Sequence, residues 1–235
     1  MAKYGRILLK LSGEVLAGRN THGIDPEKVA SLAAEIADVA RAGVQLGLVV
    51  GGGNFFRGVA EAAKSMDRVA ADSMGMLATV MNALALSDSL NRAGLRTHVM
   101  TAVEMHKVAE YFTAAAAVER LEAGHAVVFA AGTGNPFFST DTGAALRALE
   151  IRADLVAKAT RVDGVFDKDP MKHPDAVKFD AIGYQEVLER RLAVMDATAV
   201  ALCRDNHMPV TVFNMHVEGN IMRMAMGEPV GTAIR

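Results

Sequence analysis

Short apolar runs alternate along the chain with longer stretches in which apolar residues recur at helical spacing. The runs predict buried strands, and the periodic stretches predict amphipathic helices. We expect strands at 6–11, 45–50, 96–100, 126–131, 155–159, 210–213 and 232–234. We expect helices at 26–41, 69–93, 113–123, 144–151 and 194–205, with a last helix that ends near Gly227.

The residues at the helix ends support these boundaries. Asp25 and Pro26 suit the N-cap and the first helical position, and Gly43 and Gly94 suit the positions that follow a helix end. Strands that alternate with helices and read as unbroken apolar runs are typical of a parallel sheet covered on both faces. We therefore predict an α/β fold, a three-layer αβα sandwich with a mainly parallel central sheet. Since no Pro/Ser-rich or charged linker divides the chain, we expect residues 1–235 to form a single domain.

Three consecutive glycines, Gly51–Gly53, follow the second predicted strand, and Arg57 comes shortly after them. Glycine has no Cβ, so successive N–H groups can close on an anion, and arginine pairs well with phosphate. A tight turn would need only one or two glycines, so the run favours a phosphate ligand. Neither the Walker motif nor the dinucleotide fingerprint is present. Asp72 stands where a dinucleotide fold has its ribose acid, but it falls within a helical pattern.

Three other predicted strands also run into loops that carry glycine and charged residues. Lys10–Gly13 ends the first strand, Gly132–Thr142 follows the strand at 126–131, and Lys158–Pro170 closes the strand at 155–159. The carboxyl ends of parallel strands meet at one edge of the sheet, where ligands of such folds collect. We infer a large ligand at this edge that is rich in phosphate or made of two parts.

The amino-acid composition restricts the possible partners and location of the protein but does not identify a ligand. The chain is 51% apolar and 22% charged with a formal net charge of −2, which supports a sizeable core and predicts neither nucleic acid nor an anionic membrane as partner. Cys203 is the only cysteine and excludes an intramolecular disulfide; we interpret it as a core residue in preference to an activated thiol. We expect no secretory segment and no apolar run long enough to span a bilayer, and hence a cytoplasmic protein. The histidines show no metal-binding spacing, so we predict no metal site made by the protein alone.

The loop chemistry suits phosphoryl transfer between two phosphorylated ligands. Such a site must align the attacking and leaving oxygens and neutralise charge, with Mg²⁺ bridging the donor phosphates. Positioning alone can supply roughly 7–11 kcal/mol of barrier reduction. No covalent nucleophile is required.

Four segments, 10–13, 51–57, 133–141 and 158–170, closely resemble the bacterial UMP kinases of the amino acid kinase superfamily. The resemblance covers essentially the whole chain. The segments Thr133–Phe138 and Asp72–Met76 are the most particular to UMP kinases. The resemblance implies an amino acid kinase-like fold and transfer of the γ-phosphoryl group of Mg-ATP to UMP in pyrimidine nucleotide biosynthesis.

The resemblance also implies roles for individual residues. The ATP-binding residues would be Lys10, Leu11, Ser12, Gly13, Gly53, Arg57, Thr160, Phe166 and Asp169. The UMP-binding residues would be Gly52, Asp72, Thr133, Gly134, Asn135, Pro136, Phe137, Phe138, Ser139 and Thr140. Many members carry Tyr at the position of Phe166, so an aromatic wall is expected there without a hydroxyl contact.

The catalytic residues implied by the resemblance are Lys10, Arg57, Lys158, Asp141 and Asp196. The two aspartates would orient the lysines or interact with Mg²⁺. An alternative role for Asp141 is the N-cap of the helix that follows it.

The resemblance to this family further implies a cytoplasmic homohexamer that is activated by GTP and inhibited by UTP. The segment linked with the GTP response would be Gly18, Arg19, Asn20, Thr21, His22 and Gly23, which by its residues alone is only a flexible polar loop. The methionine-rich side of the long helix at 69–93 suits either a neighbouring subunit or the core.

Two other functions are compatible with these motifs. One is a kinase of the same fold that acts on a carboxylate such as acetylglutamate; Asp72 and the two phenylalanines at 137–138 favour a nucleotide over it. The other is a non-catalytic nucleotide-binding protein. The residues that argue against it are Lys10, Arg57, Lys158 and Asp141.

Overall fold

The fold is that of a computed structural model, which describes residues 2–56 and 66–235. The strands are β1 (Arg6–Leu11), β2 (Gln45–Val50), β3 (Thr97–Thr101), β4 (Glu110–Tyr111), β5 (Ala126–Ala130), β6 (Leu155–Thr160), β7 (Ala181–Ile182), β8 (Val210–Asn214) and β9 (Thr232–Ile234). The helices are α1 (Pro26–Arg41), α2 (Arg68–Arg92), α3 (Ala114–Glu122), α4 (Thr140–Glu150), α5 (Tyr184–Glu189), α6 (Ala197–Asp205) and α7 (Asn220–Met226), with a 3-10 turn at Gly13–Val15.

In the described residues the strands form a nine-stranded sheet in the order β4-β3-β5-β2-β1-β6-β8-β9-β7. Its pairs are parallel, apart from the antiparallel pair β8–β9. The mainly parallel sheet predicted from the sequence is therefore confirmed. The carboxyl ends of β2, β1 and β6 are adjacent, so the loops after these three strands lie side by side at one edge.

Helices cover both faces of the sheet, which makes the three-layer sandwich. Ile7, Leu9 and Leu11 of β1 pack into an apolar cluster with α1, α2 and α7. Leu8, of the opposite parity, packs into a second cluster with α3, α4, α5 and α6. Since side chains alternate between the faces of a strand, Lys10 points to the same side as Leu8, towards α4.

The helix α2 contradicts one expectation from the sequence, which concerned membrane-spanning segments. By length and composition it is apolar enough to cross a bilayer, contrary to the expectation that no such run exists. One side of it packs on β2, β3, β5 and α1, with residues such as Ala83, Leu86 and Leu90 buried. That packing is what the core helix of a layered α/β protein shows.

Several boundaries differ from those predicted. The strands β4 and β7 and the helix α5 were not expected, because β4 and β7 have two residues each and carry exposed positions that break an apolar run. The helix α4 begins at Thr140, ahead of the predicted start at 144, because Ser139 caps it. The helix α6 begins at Ala197 and is capped by Asp196.

Candidate active site

Two lysines on neighbouring strands share one carboxylate at the carboxyl edge of the sheet. Lys10 on β1 and Lys158 on β6 are register partners, and both meet Asp141 in the first turn of α4. Lys10 Nζ lies 2.7 Å from Asp141 Oδ1, and Lys158 Nζ lies 2.6 Å from Oδ2. The three side chains are nearly buried, at 12–13% exposure. Lys158 also donates to the Val194 carbonyl oxygen. The carboxylate thus fixes the spacing of two ammonium groups.

The protonation state of each group in this cluster follows from burial and from the neighbouring charges. Burial tends to raise the pKa of Asp141, but Lys10 and Lys158 outweigh burial and hold that pKa below its usual value. Burial lowers the pKa of Lys158, and the charge of Asp141 partly offsets that effect. Asp141 is therefore ionised at neutral pH and acts as a counter-ion that orients the lysines. It has no proton to exchange in that range.

The two glycine loops predicted to bind phosphate pack directly against each other. Gly51 N–H donates to the Leu11 carbonyl oxygen at 3.0 Å. A Cβ at Gly13 would overlap the Gly51 carbonyl oxygen and lie 2.6 Å from Asn54 Oδ1. A Cβ at Gly52 would lie 2.8 Å from the Gly75 carbonyl oxygen of α2. Glycine is needed here because backbone approaches backbone. Arg57, the cation predicted to accompany these loops, lies outside the described residues.

A first cavity of about 550 Å³ opens between the N-terminal ends of α2 and α4. Of the residues predicted to bind UMP, those that line it are Gly52, Asp72, Thr133, Asn135, Phe137, Phe138, Ser139 and Thr140. Gly134 and Pro136 belong to the same loop but do not line the cavity wall. The prediction missed Arg68, Gly132 and Thr79, which also line it. The first cavity thus collects residues that are distant in the sequence.

Asp72 ties α2 to the loop after β5. Its Oδ2 accepts from Phe137 N–H at 2.7 Å and from Arg68 Nε at 2.8 Å. The Arg68 guanidinium lies over the Phe137 ring, 5.4 Å from its centroid. Arg68 was missed from the sequence although its spacing from Asp72, one helical turn, is the signal of such a pair. The arrangement holds an aromatic ring and two charged groups at the mouth of the first cavity.

Asp196 has a different setting from Asp141. It caps α6 by accepting from Ala199 N–H at 3.0 Å, and it accepts from Thr142 Oγ1 at 2.9 Å and from the Ser139 hydroxyl. Ser139 is itself the N-cap of α4, so the alternative N-cap role for Asp141 is wrong. Asp196 joins the N-terminal ends of α4 and α6, and neither lysine ammonium is among its hydrogen-bond partners in the part of the chain that the structure describes.

A second cavity of about 510 Å³ lies beside Lys158. It is lined by Lys158 and by three residues predicted to bind ATP, Thr160, Phe166 and Asp169. Arg190, Arg191 and Val194 also line it and were not predicted. Thr160 Oγ1 donates to the Val162 carbonyl oxygen at 2.8 Å, which holds the start of the loop. The residues Lys10, Leu11, Ser12 and Gly13 line neither cavity, and Leu11 and Gly13 lie against Gly51.

Residues 18–23 form an exposed excursion whose end is tied to the glycine loops. Gly23 N–H donates to the Asn54 carbonyl oxygen at 2.9 Å, and Asn54 Nδ2 donates to the Gly23 carbonyl oxygen at 2.7 Å. Gly18 and Arg19 line a third cavity of about 800 Å³ with Lys28, Arg161 and His216, together with Glu14, Asp25 and Glu27. The charges of this cavity are mixed.

Two further groups bear on the chemistry. Among the described residues, no three His, Cys, Asp or Glu side chains stand close enough to hold a metal ion by themselves. Cys203 is buried, and burial raises the pKa of its thiol to about 12, so it is protonated at neutral pH and behaves as a core residue. The site therefore offers cations and backbone N–H groups for anions.

Comparisons with known proteins agree with the geometry. The model of the amino acid kinase family matches residues 5–214. The structure is similar to UMP kinase from Bacillus anthracis, with 36% identity and a TM-score of 0.95 over 99% of this chain and 96% of that chain. It is similar to UMP kinase from Ureaplasma parvum, with 35% identity and a TM-score of 0.92 over 99% of each chain. It is also similar to uridylate kinase from Archaeoglobus fulgidus, with 29% identity and a TM-score of 0.76 over the full length of both chains.

We expect Asp141→Asn to lower the free energy of unfolding at pH 7 by about 3 kcal/mol, because two nearly buried ammonium groups lose their counter-ion. Urea denaturation at several pH values measures this. The native pKa of Asp141 is lowered, so its contribution is complete above the unfolded value of about 3.9 and is lost as the pH falls towards the native value. The difference between wild type and variant should therefore shrink on acidification below about pH 4.

The matched control is Asp38→Asn, which breaks an exposed ion pair with Arg41 on α1. That change should stay within about 0.5 kcal/mol at every pH. A variant Asp141→Asn as stable as wild type at pH 7, or a difference that grows in acid, would contradict the role of Asp141 as a counter-ion.

Proposed function

Because this chain belongs to the amino acid kinase family, and within it to the UMP kinases, we propose that it transfers the γ-phosphoryl group of ATP to UMP, giving ADP and UDP. The observation that carries this function is the position of the lysine pair. Thr140, next to Asp141, borders the first cavity, and Lys158 borders the second. Two ligands of nucleotide size would therefore meet where the two ammonium groups are held.

UMP is assigned to the first cavity. Asp72 would accept from the ribose hydroxyls with the oxygen that Phe137 and Arg68 leave available. The loop of residues 133–140 would enclose the base, with Phe137 and Phe138 as apolar contacts and backbone groups reading its edge. Gly52 would approach the phosphate, since a side chain there would be blocked by α2.

ATP is assigned to the second cavity and the adjoining glycine loops. Phe166 would form an aromatic wall for adenine, and Thr160 and Asp169 would bind the adenosine side. Backbone N–H groups of Ser12, Gly13 and Gly53 would face the phosphates. The same role is proposed for Leu11, and Arg57 would clamp phosphate from the segment outside the described residues.

The chemistry needs neither a covalent nucleophile nor a general base. A phosphate oxygen of UMP is already anionic at neutral pH, because the second pKa of a phosphate monoester is about 6. That oxygen forms the new bond to the γ-phosphorus while the bond from the γ-phosphorus to the β,γ-bridging oxygen breaks, and ADP leaves with the electron pair. Lys10 and Lys158 would stabilise the charge that spreads over the transferred group. Asp141 would orient both lysines, and Asp196 would position α4 and α6 around them.

Magnesium is proposed as a companion of the nucleotide. Mg²⁺ keeps several waters and is held by substrate phosphates with one or two carboxylates. The carboxylates near the lysine pair, Asp141 and Asp196, are already engaged, so the donor set fits an ion carried mainly by the ATP phosphates. When bound, the ion would neutralise charge on the donor phosphates.

Assembly and regulation follow as proposals from the family. The side of α2 that faces away from the sheet exposes a stripe of large apolar residues, Val69, Met74, Leu77, Met81 and Leu84. We propose that this stripe joins copies of the chain in a homohexamer, with activation by GTP involving residues 18–23 and inhibition by UTP. A cytoplasmic location and a single domain over residues 1–235 are proposed on the same basis.

The acceptor decides the function. We expect Mg²⁺-dependent ADP release with ATP and UMP, weaker release with CMP or dTMP, and none above background with acetylglutamate, because Asp72 and the loop at 133–140 suit a ribose and a flat base. A coupled ADP-release assay across these four acceptors measures this. Turnover of acetylglutamate without turnover of UMP would make the chain a carboxylate kinase.

We expect Asp72→Ala to raise the KM for UMP at least tenfold while the KM for ATP changes less than about twofold, because Asp72 borders only the first cavity. Steady-state kinetics with each substrate varied gives both values. The matched control is Asp88→Ala, which removes a carboxylate from the same helix that pairs with Arg92 at the same spacing. If only the KM for ATP rose, the assignment of UMP to the first cavity and ATP to the second would have to be reversed.

The assembly proposal predicts that Leu77→Glu lowers the molar mass of the particle, because a charge would be buried at the contact. Leu77 is 49% exposed in the isolated chain. Sedimentation velocity at micromolar concentration measures the mass. Met171→Glu, at a residue that is 81% exposed on the loop after β6, is the control and should leave the mass unchanged. If the wild type were a monomer, or if the variant kept the mass of the wild type, this stripe would not be the contact between copies.

A further inference from the structure

Two asparagines, one on α2 and one after the triple glycine, form a buried reciprocal amide pair. Asn82 is fully buried and Asn54 is 3% exposed. Asn82 Nδ2 donates to Asn54 Oδ1 at 2.6 Å, and Asn54 Nδ2 donates to Asn82 Oδ1 at 3.0 Å. Neither asparagine belongs to the residues assigned to ATP or UMP.

The remaining donor on each amide is also used. Asn82 Nδ2 donates to the Gly51 carbonyl oxygen at 2.7 Å, and Asn54 Nδ2 donates to the Gly23 carbonyl oxygen at 2.7 Å. An amide group carries two donor hydrogens, so each nitrogen has as many acceptors as it can serve. Two side chains thus connect α2, the glycine loop and the excursion at 18–23.

The pair is poorly explained as packing alone. Along α2, Asn82 is flanked by Val80, Ala83 and Leu86, which belong to the apolar cluster that this helix covers. A leucine would fill a similar volume there without the cost of burying an amide. What the amide provides, and leucine does not, is a fixed direction for the Gly51 carbonyl. That carbonyl precedes the N–H groups of Gly52 and Gly53 and stands against Gly13.

We propose that Asn82 and Asn54 are positioning residues that set the phosphate-binding glycine loop and couple it to the excursion at 18–23. The inference rests on the proposed function only in that the loop would hold nucleotide phosphates. Asn82 reaches the excursion through Asn54, because its hydrogen-bond partners among the described residues are Gly51 and Asn54. A change at Asn82 should therefore alter hydrogen exchange at Gly23, to which Asn82 makes no hydrogen bond among the described residues.

The first test is hydrogen exchange followed by mass spectrometry on the full chain without nucleotide. We expect Asn82→Leu to speed exchange at least tenfold in peptides that cover residues 18–25 and 51–56. The matched control is Asn91→Leu, because Asn91 lies on the same helix and donates to the Ser87 carbonyl oxygen at 2.8 Å, remote from the loops. Unchanged exchange at 18–25 in Asn82→Leu, with the protein folded, would overturn the coupling.

The second test is kinetic and separates positioning from stability. We expect Asn82→Leu to lower kcat by about 10- to 100-fold per folded molecule, with each KM changed less than about threefold, because a small displacement of the phosphates penalises the transition state more than binding. A purely structural role would lower the melting temperature and leave kcat per folded molecule unchanged.

A double-mutant cycle keeps the test decisive if Asn82→Leu does not fold. We expect Asn54→Ala and Asn82→Ala to give similar losses of kcat, and the double variant to lose no more than about threefold beyond either one, because each removes the same pair. Independent, multiplying losses would overturn the proposal. Exchange does not need turnover, so a wild type inactive on UMP would refute the proposed function while the exchange result still decided the amide pair.

Discussion

The bridge from Lys10 through Asp141 to Lys158 is the interaction on which the rest of the site depends. Two ammonium groups on adjacent strands would repel each other in a nearly buried position, and only the shared carboxylate makes their proximity tolerable. The same bridge fixes the first turn of α4 against the sheet. The loop that ends in Ser139 and Thr140 is therefore held at the edge of the first cavity. This contact thus affects the charge of the site, the position of α4 and the edge of the first cavity.

The parallel sheet makes this contact available. Lys10 and Lys158 are opposite each other in the register of β1 and β6, and their side chains leave the sheet on the face covered by α4. The carboxyl end of β2 lies next to that of β1, which brings Gly51 onto Gly13. An antiparallel neighbour would have carried its loop to the opposite edge. The loops thus converge because the strands are parallel, whatever residues the loops carry.

The sequence predicts the layers well because unbroken apolar runs and helical periodicity are strong signals, and it predicts the four loops because glycine and charge follow strands. It does not predict what depends on side-chain partners. The helix α4 was expected to begin later, since Thr140–Gly143 resembles a turn until Ser139 and Asp196 are seen to cap and hold it. Arg68 was overlooked beside Asp72. Asn82 reads as an ordinary polar position of α2, because nothing local reveals that its partner is Asn54.

The helix α2 brings three features of the protein together on one rigid element. Near its N-terminal end Asp72 holds the loop at Phe137, in its middle Asn82 holds the glycine loop, and its outer side carries the apolar stripe that includes Leu77 and Met81. Asn82 and Met81 are consecutive residues of this helix, one fully buried and one 46% exposed. A second copy seated on the stripe would lie against the helical turns that carry Asp72 and Asn82. Because a packed helix moves as a unit, a contact between copies on the stripe would be linked through α2 to the geometry of the glycine loop.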